Sequence, residues 1–518
     1  MRQGVSTIIM VICATVVFVV PVAGAEPPGR GLAAPKLAGA LEELSTRLRP
    51  DEPVRVIVQG SAPSAAAGEH GRVTERLNFV GGVAATVPAA SLRRLAHDPR
   101  VDFVAPDAPI EFAAEGSVST SSLATFYPGR DSASNPWSAG ATGRGVGIAV
   151  IDSGVTPSAD FGNRLVQVRL EGQEGSLDDT VGHGTMVAGV AAGHSPDGKF
   201  IGIAPGATVY AINVARPHGV YSSDVITALK WVFDNAHTYN IRVVNLSLSE
   251  TAKSSYKESP LNLAVERLWA SGVFVVVAAG NRGAGQIDYA PANDPLAMTI
   301  GAFDLMNTSG PGDDTYSTWS SSGVTVDGFS KPELVAPGRA IGAPLPTGTS
   351  LYSQAPASNR VAPGYAKING SSFAAPQAAG AAAIIFQWHP TWSPDNVKWV
   401  LVAKQGAKPR NSKWGALSLS SSYNYSGTPG RANTGVPALV CAPGMTCVEN
   451  GKVVSLWNSS GWTADSWVSN GWTSSTWVSN GWTSNGWTSN GWTSNGWTSN
   501  GWTTANWTSV DPSFDLWK

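Results

Sequence analysis

The chain is poor in charge. Asp, Glu, Lys and Arg make up 14% of its 518 residues, against roughly a quarter in an average soluble protein. The formal net charge is −2, so nothing in the electrostatics calls for a nucleic-acid partner and none is expected. Cysteine is scarcer still, with three in all, and Cys13 lies in an apolar N-terminal run. Cys441 and Cys447 are too few ligands for a zinc site. With Pro443-Gly444 turning the chain between them, they are expected to form a disulfide outside the cell. So small a loop would add about 2 kcal/mol of local stability at most. Beyond the N-terminal run no segment is long and apolar enough to span a bilayer.

That run reads as a targeting signal. Arg2 precedes the apolar stretch Ile8 to Val20, and Ala23-Gly24-Ala25 supplies a small-residue cleavage site. Residues 1–25 are therefore expected to be a secretory signal peptide, and the protein to be secreted to the extracellular space. The alternative, an uncleaved anchor, is disfavoured by the shortness of the run and by Pro21.

Three segments further on carry residues suited to chemistry. Gly370-Ser371-Ser372-Phe373-Ala374-Ala375-Pro376 is a Gly/Ser turn leading into the small-residue run Gln377 to Ala383. A serine at the mouth of a helix has an exposed hydroxyl, and the helix dipole there favours developing negative charge. Alone it would be read as an ordinary N-cap. Val146 to Ile151 reads as a buried parallel strand, and Asp152 stands at its carboxyl end, where open α/β sheets place their chemistry. Gly182-His183-Gly184-Thr185 opens a stretch of glycine and alanine that would let a helix lie close to a sheet. Singly, these could be a turn aspartate and a packed histidine; together with Ser372 they form an Asp–His–Ser set.

At this point the sequence resembles the subtilisin-like serine proteases (subtilases, peptidase S8), over about Ala141 to Lys408. Asp152-Ser153-Gly154, Gly182-His183-Gly184-Thr185 and Gly370 to Pro376 resemble the family's aspartate, histidine and serine segments. The order Asp, His, Ser is the one known for subtilisin. The resemblance selects Ser372, four residues before Pro376, as nucleophile, and leaves Ser371 where threonine is usual. It implies that His183 is the general base and later acid, and that Asp152 holds its tautomer. It also implies that Asn281, after the buried run Val275 to Gly280, joins the Ser372 backbone N–H as the oxyanion hole.

Substrate contacts are implied at Ser247, Leu248 and Ser249 on one edge of a cleft, at Gly219 and Val220 on the other, and at Ala279 and Gly280. A peptide would be captured by strand addition. Ser249-Glu250 departs from the two glycines common here. No cofactor is required by this chemistry and no metal ligand is assigned. Structural calcium is known in the family, yet no segment is acidic enough to name ligands.

The expected fold is α/β, a subtilisin-like three-layer arrangement with a mostly parallel sheet. It is preceded by a small α+β propeptide and followed by a tryptophan-repeat tail. Residues 26–125 supply strand candidates at Pro53 to Val58, Leu77 to Val87 (broken by glycine) and Val101 to Ala105, with a helix candidate from Pro88 to His97. Leu92 to Val101 resembles the last helix and strand of subtilase propeptides, which implies a folding aid and inhibitor cut off by the enzyme between about Pro106 and Tyr127. A small α/β binding domain that stays attached is the other reading.

The catalytic domain is expected over 126–417 and a Ser/Gly/Pro-rich linker over 418–456. In the tail, 457–518, tryptophan recurs every five residues from Trp457 to Trp507. That period suits neither one helical face nor one strand face. Repeated Asn-Gly favours turns, so a ladder or β-solenoid is one reading. Exposed tryptophan suits sugars, cell walls or polysaccharide; the other reading is a low-complexity spacer.

Two functions follow. The first is a secreted serine endopeptidase acting on proteins or peptides, made as a zymogen, inhibited by its own propeptide and self-processed. The alternative is an envelope- or polymer-binding protein whose protease-like domain is inactive or acts only in its own maturation.

Overall fold

The structure is a computed structural model that describes residues 36–112, 126–216, 219–306, 308, 310–440, 448–449 and 452–453. The expected signal peptide, the Cys441–Cys447 pair and the tryptophan tail lie outside the described residues.

The N-terminal part folds around its own apolar cluster. Strands β1 (Pro53–Gln59), β2 (Arg72–Leu77), β3 (Gly82–Pro88) and β4 (Phe103–Pro106) form an antiparallel sheet in the order β2-β3-β1-β4. Val54, Val56 and Val58 alternate along β1 onto one face, where they meet Leu41, Leu92, Leu95 and Val104. The expected single strand Leu77 to Val87 is instead two, because the chain turns through a 3₁₀ segment at Asn78–Val80 and Gly81. The helix expected from Pro88 to His97 is shorter, Leu92–Ala96, after a 3₁₀ turn at Ala89–Ser91.

The opposite face of this sheet belongs to the larger core. Ile57, Leu77, Phe79, Val80 and Ala84 join the main apolar cluster, Phe79 packs on Phe233, and the Arg267 guanidinium donates to the Phe79 carbonyl.

After β5 (Pro109–Phe112), the main sheet is built from β6 (Gly147–Asp152), β7 (Leu165–Val168), β8 (Thr208–Asn213), β10 (Ile241–Leu246), β12 (Phe274–Ala278), β13 (Met298–Asp304) and β14 (Thr315–Tyr316). Their order is β14-β13-β12-β10-β6-β8-β7, with Leu334–Pro337 also on β13. Every pairing is parallel except β13 with β14. Continuous apolar strands such as β6 and β12 are buried along their whole length, as expected when helices cover both faces.

Helices His183–Ala192 and Ser371–Trp388 pack on each other, and the second also lies along β10, β12 and β13. Their alanine and glycine content permits that closeness. Helices Ser222–Tyr239 and Pro260–Ala270 form a second pair against β6, β10 and β12. Among the described residues no helix is long and apolar enough to cross a membrane.

The stretch 418–440 corrects the expected linker. Leu419 and Ser422 are fully buried, Tyr423 and Val440 nearly so, and Leu419 N–H donates to the Asp131 carbonyl at 2.7 Å. Asn433 bonds Asp395, and Val440 N–H donates to Glu266 Oε2. Polar composition suggested a solvated chain, but widely spaced apolar side chains and one anchoring asparagine pin this segment to the core.

Candidate active site

Asp152 ends the fully buried strand β6, and His183 begins the helix that follows it in space. The turn into that helix requires Gly182, whose φ of 100° is a backbone conformation that costs other residues strain. His183 Nδ1 donates to Asp152 Oδ1 at 2.7 Å. Because a carboxylate only accepts, this bond puts the proton on Nδ1 and directs the basic lone pair to Nε2. Ser153 N–H donates to the same oxygen at 2.8 Å, so the carboxylate is held as well as the ring.

A further residue, Asp179, organises this corner and was not singled out from the sequence. Its Oδ1 accepts from Gly182 N–H at 2.7 Å and from Ser153 Oγ at 2.8 Å. Its Oδ2 accepts from the Thr185 N–H and hydroxyl, both at 2.8 Å. Ser153 Oγ in turn accepts from Gly184 N–H. Asp179 thus caps the helix that carries His183 and ties it to the aspartate loop. Burial pushes its carboxyl up to about 6, partly offset by the backbone donors. Asp179 stands four residues before His183, and Gly182 holds the usual cap position, so the ordinary capping pattern does not mark it.

Ser372 is the second residue of the Ser371–Trp388 helix. Its Oγ donates to the Ser247 carbonyl at 3.2 Å, while Ser247 Oγ donates to the Ser372 carbonyl at 2.8 Å. Asn245 Nδ2 fixes Ser247 Oγ at 2.9 Å. The His183 ring lies against Phe373, the next residue, with centroids 5.5 Å apart. Asp152, His183 and Ser372 are thus drawn from a strand end and two helix starts into one corner of the fold.

Asn281 follows β12, Ala279 and the left-handed Gly280. Its Oδ1 accepts from Ser371 N–H at 3.0 Å, while the buried Nδ2 has no hydrogen-bond partner among the described residues. Ser371 Oγ accepts from Gly280 N–H at 3.0 Å, so the serine that stands in place of threonine still ties the two loops. The Ser372 N–H lies in the first helical turn, where backbone donors have no intrahelical acceptor. Two donors are therefore available beside the Ser372 hydroxyl.

The two cleft edges named from the sequence belong to one small sheet. It has the order β11-β5-β9, with β11 at Leu248–Glu250 and β9 at Val220–Tyr221. The middle strand is the chain's own β5, antiparallel to both edges, with Leu248 opposite Phe112, Glu250 opposite Ile110 and Val220 also opposite Ile110. Gly219 precedes β9 with φ 95°. Asp152 and Ser372 are 0% and His183 1% exposed.

Glu250, the departure from the glycine pattern, does not line the strand with charge. Its Oε1 accepts from Ser222 Oγ at 2.7 Å and Ser259 Oγ at 3.3 Å, and burial pushes its carboxyl up to about 7. Nearby, Asp107 accepts from the Ser223 N–H at 3.0 Å and pairs with Arg55. Among the described residues no group of three or more His, Cys, Asp or Glu could hold a metal ion.

Comparison with known proteins identifies the family. The Subtilase family (peptidase S8) matches residues 143–427. Serine protease AprX of Bacillus subtilis (strain 168) is 35% identical over 50% of this chain and 61% of its own length. Subtilisin Savinase of Lederbergia lenta is 36% identical over 49% of this chain and 81% of its own. Among solved structures, fervidolysin from Fervidobacterium pennivorans, a keratinolytic enzyme related to subtilisin, shares the fold. Its TM-score is 0.55 at 21% identity, covering 72% of this chain and 60% of that one. A family match spanning residues 143–427, a range that includes Asp152, His183 and Ser372, shows that this protein belongs to the subtilase family of serine proteases.

Proposed function

We propose that the protein is a secreted serine endopeptidase, made as a zymogen that processes itself. The observation that carries this reading is the buried, unpartnered Asn281 Nδ2 beside Ser372, with His183 already oriented by Asp152. The Ser372 hydroxyl rotates from the Ser247 carbonyl toward His183, which takes its proton as the oxygen attacks the scissile carbonyl. Asp152 stabilises the imidazolium that results. Asn281 Nδ2 and the Ser372 N–H receive the developing oxyanion. His183 then gives its proton to the leaving amine, and water repeats the sequence on the acyl-enzyme. These residues supply every proton transfer, so the reading requires no cofactor.

Protein or peptide substrates would enter as β5 lies now, extended between β9 and β11, with main-chain hydrogen bonds giving affinity. Residues 26–125 up to the cut would act as propeptide and inhibitor, leaving the cleft only after the chain is cut. The tryptophan tail is proposed as an anchor to cell-wall or other polysaccharide, its rings stacking on sugars. Retention of the isolated tail on insoluble polysaccharide is the expected result, and no retention would dismiss it.

The test of the main reading compares secreted wild type with Ser372→Ala by intact mass and N-terminal sequencing. Wild type should lose the segment before the cut and the variant should keep it. If both are processed alike, or neither is, the binding-protein alternative takes its place.

A further inference from the structure

Arg282, next to the oxyanion asparagine, has no role in the chemistry above, yet it is held as tightly as a site residue. Its guanidinium donates to Ser249 Oγ at 3.0 Å and to the Glu250 carbonyl at 3.4 Å. It lies 3.9 Å from the centre of the Tyr289 ring, and its own N–H donates to Ser321 Oγ at 2.9 Å. Tyr289 is itself buried. Three different groups thus fix the planar fork beside β11, and it forms an ion pair with the Glu111 carboxylate of β5. Glu111 stands opposite Ser249 in the cleft sheet.

We infer that Arg282, with Ser249 and Tyr289 as its mount, forms a carboxylate-recognising subsite that selects peptides carrying an acidic side chain at the strand position of Glu111. The inference rests on the protease reading and deepens it. If β5 lies as a substrate would, the groups around it are the groups a substrate meets. A guanidinium pre-positioned by Ser249 and Tyr289 loses little rotamer freedom on meeting a carboxylate, and its fork matches two oxygens. It also explains the departure at Ser249, since a glycine there would remove the hydroxyl that orients Arg282. Both partners keep some exposure, 23% for Arg282 and 38% for Glu111, so solvent screens the pair and discrimination is modest.

The experiment uses quenched fluorogenic peptides spanning Pro-Ile-Glu-Phe-Ala-Ala-Glu-Gly, with the first Glu kept or replaced by Gln or Lys. Processed wild type, Arg282→Gln and Arg282→Glu are assayed on all three. Wild type should favour Glu over Gln by about threefold and over Lys by about tenfold in kcat/KM, mostly through KM. That preference should shrink in about 0.5 M salt. Arg282→Gln should level the series and Arg282→Glu should invert it. Ratios within one enzyme cancel any general damage from changing the neighbour of Asn281.

Equal rates on the three peptides in wild type, or an unchanged preference in Arg282→Gln, overturn the subsite. Should wild type cleave none of them, the protease reading fails and the subsite is judged on the uncut Ser372→Ala chain. There Glu111→Gln and Arg282→Gln are combined in a thermal-unfolding cycle. Losses that fail to add support carboxylate recognition, and strictly additive losses overturn it.

Discussion

Gly184 lies so close to Asp152 that a Cβ on it would stand 3.0 Å from both Cβ and Oδ1 of the aspartate and 2.2 Å from the Gly154 carbonyl oxygen. The backbone at the start of the histidine helix is thus pressed against the aspartate loop, and this closeness lets His183 reach Oδ1. Gly184→Ala must push the two apart. The expected outcome is loss of self-processing and a fall in peptide hydrolysis of about a hundredfold or more, as for a misplacement of about 1 Å. Overpacking would cost stability of about 1–3 kcal/mol. Thermal unfolding beside a peptide assay checks both.

If Asn281 is the oxyanion donor proposed above, removing its amide should leave binding intact. Asn281→Leu is expected to lower kcat by about a hundred- to a thousandfold, the range for such an asparagine in subtilisin, with KM little changed. Steady-state kinetics on the processed enzyme decides. A rise in KM at constant kcat would mean that Asn281 holds the substrate rather than the transition state.

The strand register narrows the processing site. Phe112 is opposite Leu248, and the next residue of the cleft edge, Ser247, is the one whose carbonyl receives the Ser372 hydroxyl. If a substrate continued this register by one residue, position 113 would face Ser247, so the Ala113–Ala114 bond is the expected cut. N-terminal sequencing of the processed form should begin at Ala114. A start more than a residue or two away would mean that β5 is displaced before cleavage.

Glu250 should give the fold a pH dependence of its own. Burial raises its carboxyl from the ordinary range to about 7, so the native state keeps its proton while the unfolded chain has lost it. Its contribution is then fully present below about pH 4.5 and is lost as pH rises through about 7. Glu250→Gln keeps an acceptor for Ser222 and Ser259 but cannot ionise. In the uncut Ser372→Ala background it should gain on the parent as pH rises between those values, reaching about 3 kcal/mol at pH 8. Thermal unfolding against pH measures the difference; parallel curves would show that Glu250 does not titrate in this window.

The sequence by itself determined the elements that carry the chemistry. Short β-branched apolar runs such as Gly147 to Ile151 and Phe274 to Ala278 read as strands buried on both faces, and Asp152 and Asn281 stand at or just beyond their carboxyl ends. The small-residue runs after His183 and Ser372 specify helices that pack closely. These are local properties, readable from period and side-chain size.

Only the tertiary structure decided what depends on contacts between distant segments. The Asp179 cap unites residues that sequence reading treats as separate loops. The stretch 418–440 is polar in composition, yet it is bound down by Leu419, Tyr423 and Asn433, whose partners lie far away in the chain. The placing of β5 between β9 and β11, and with it the pairing of Glu111 with Arg282, depends on register. A strand's edge bonds carry no local signature until the partner edge is in place.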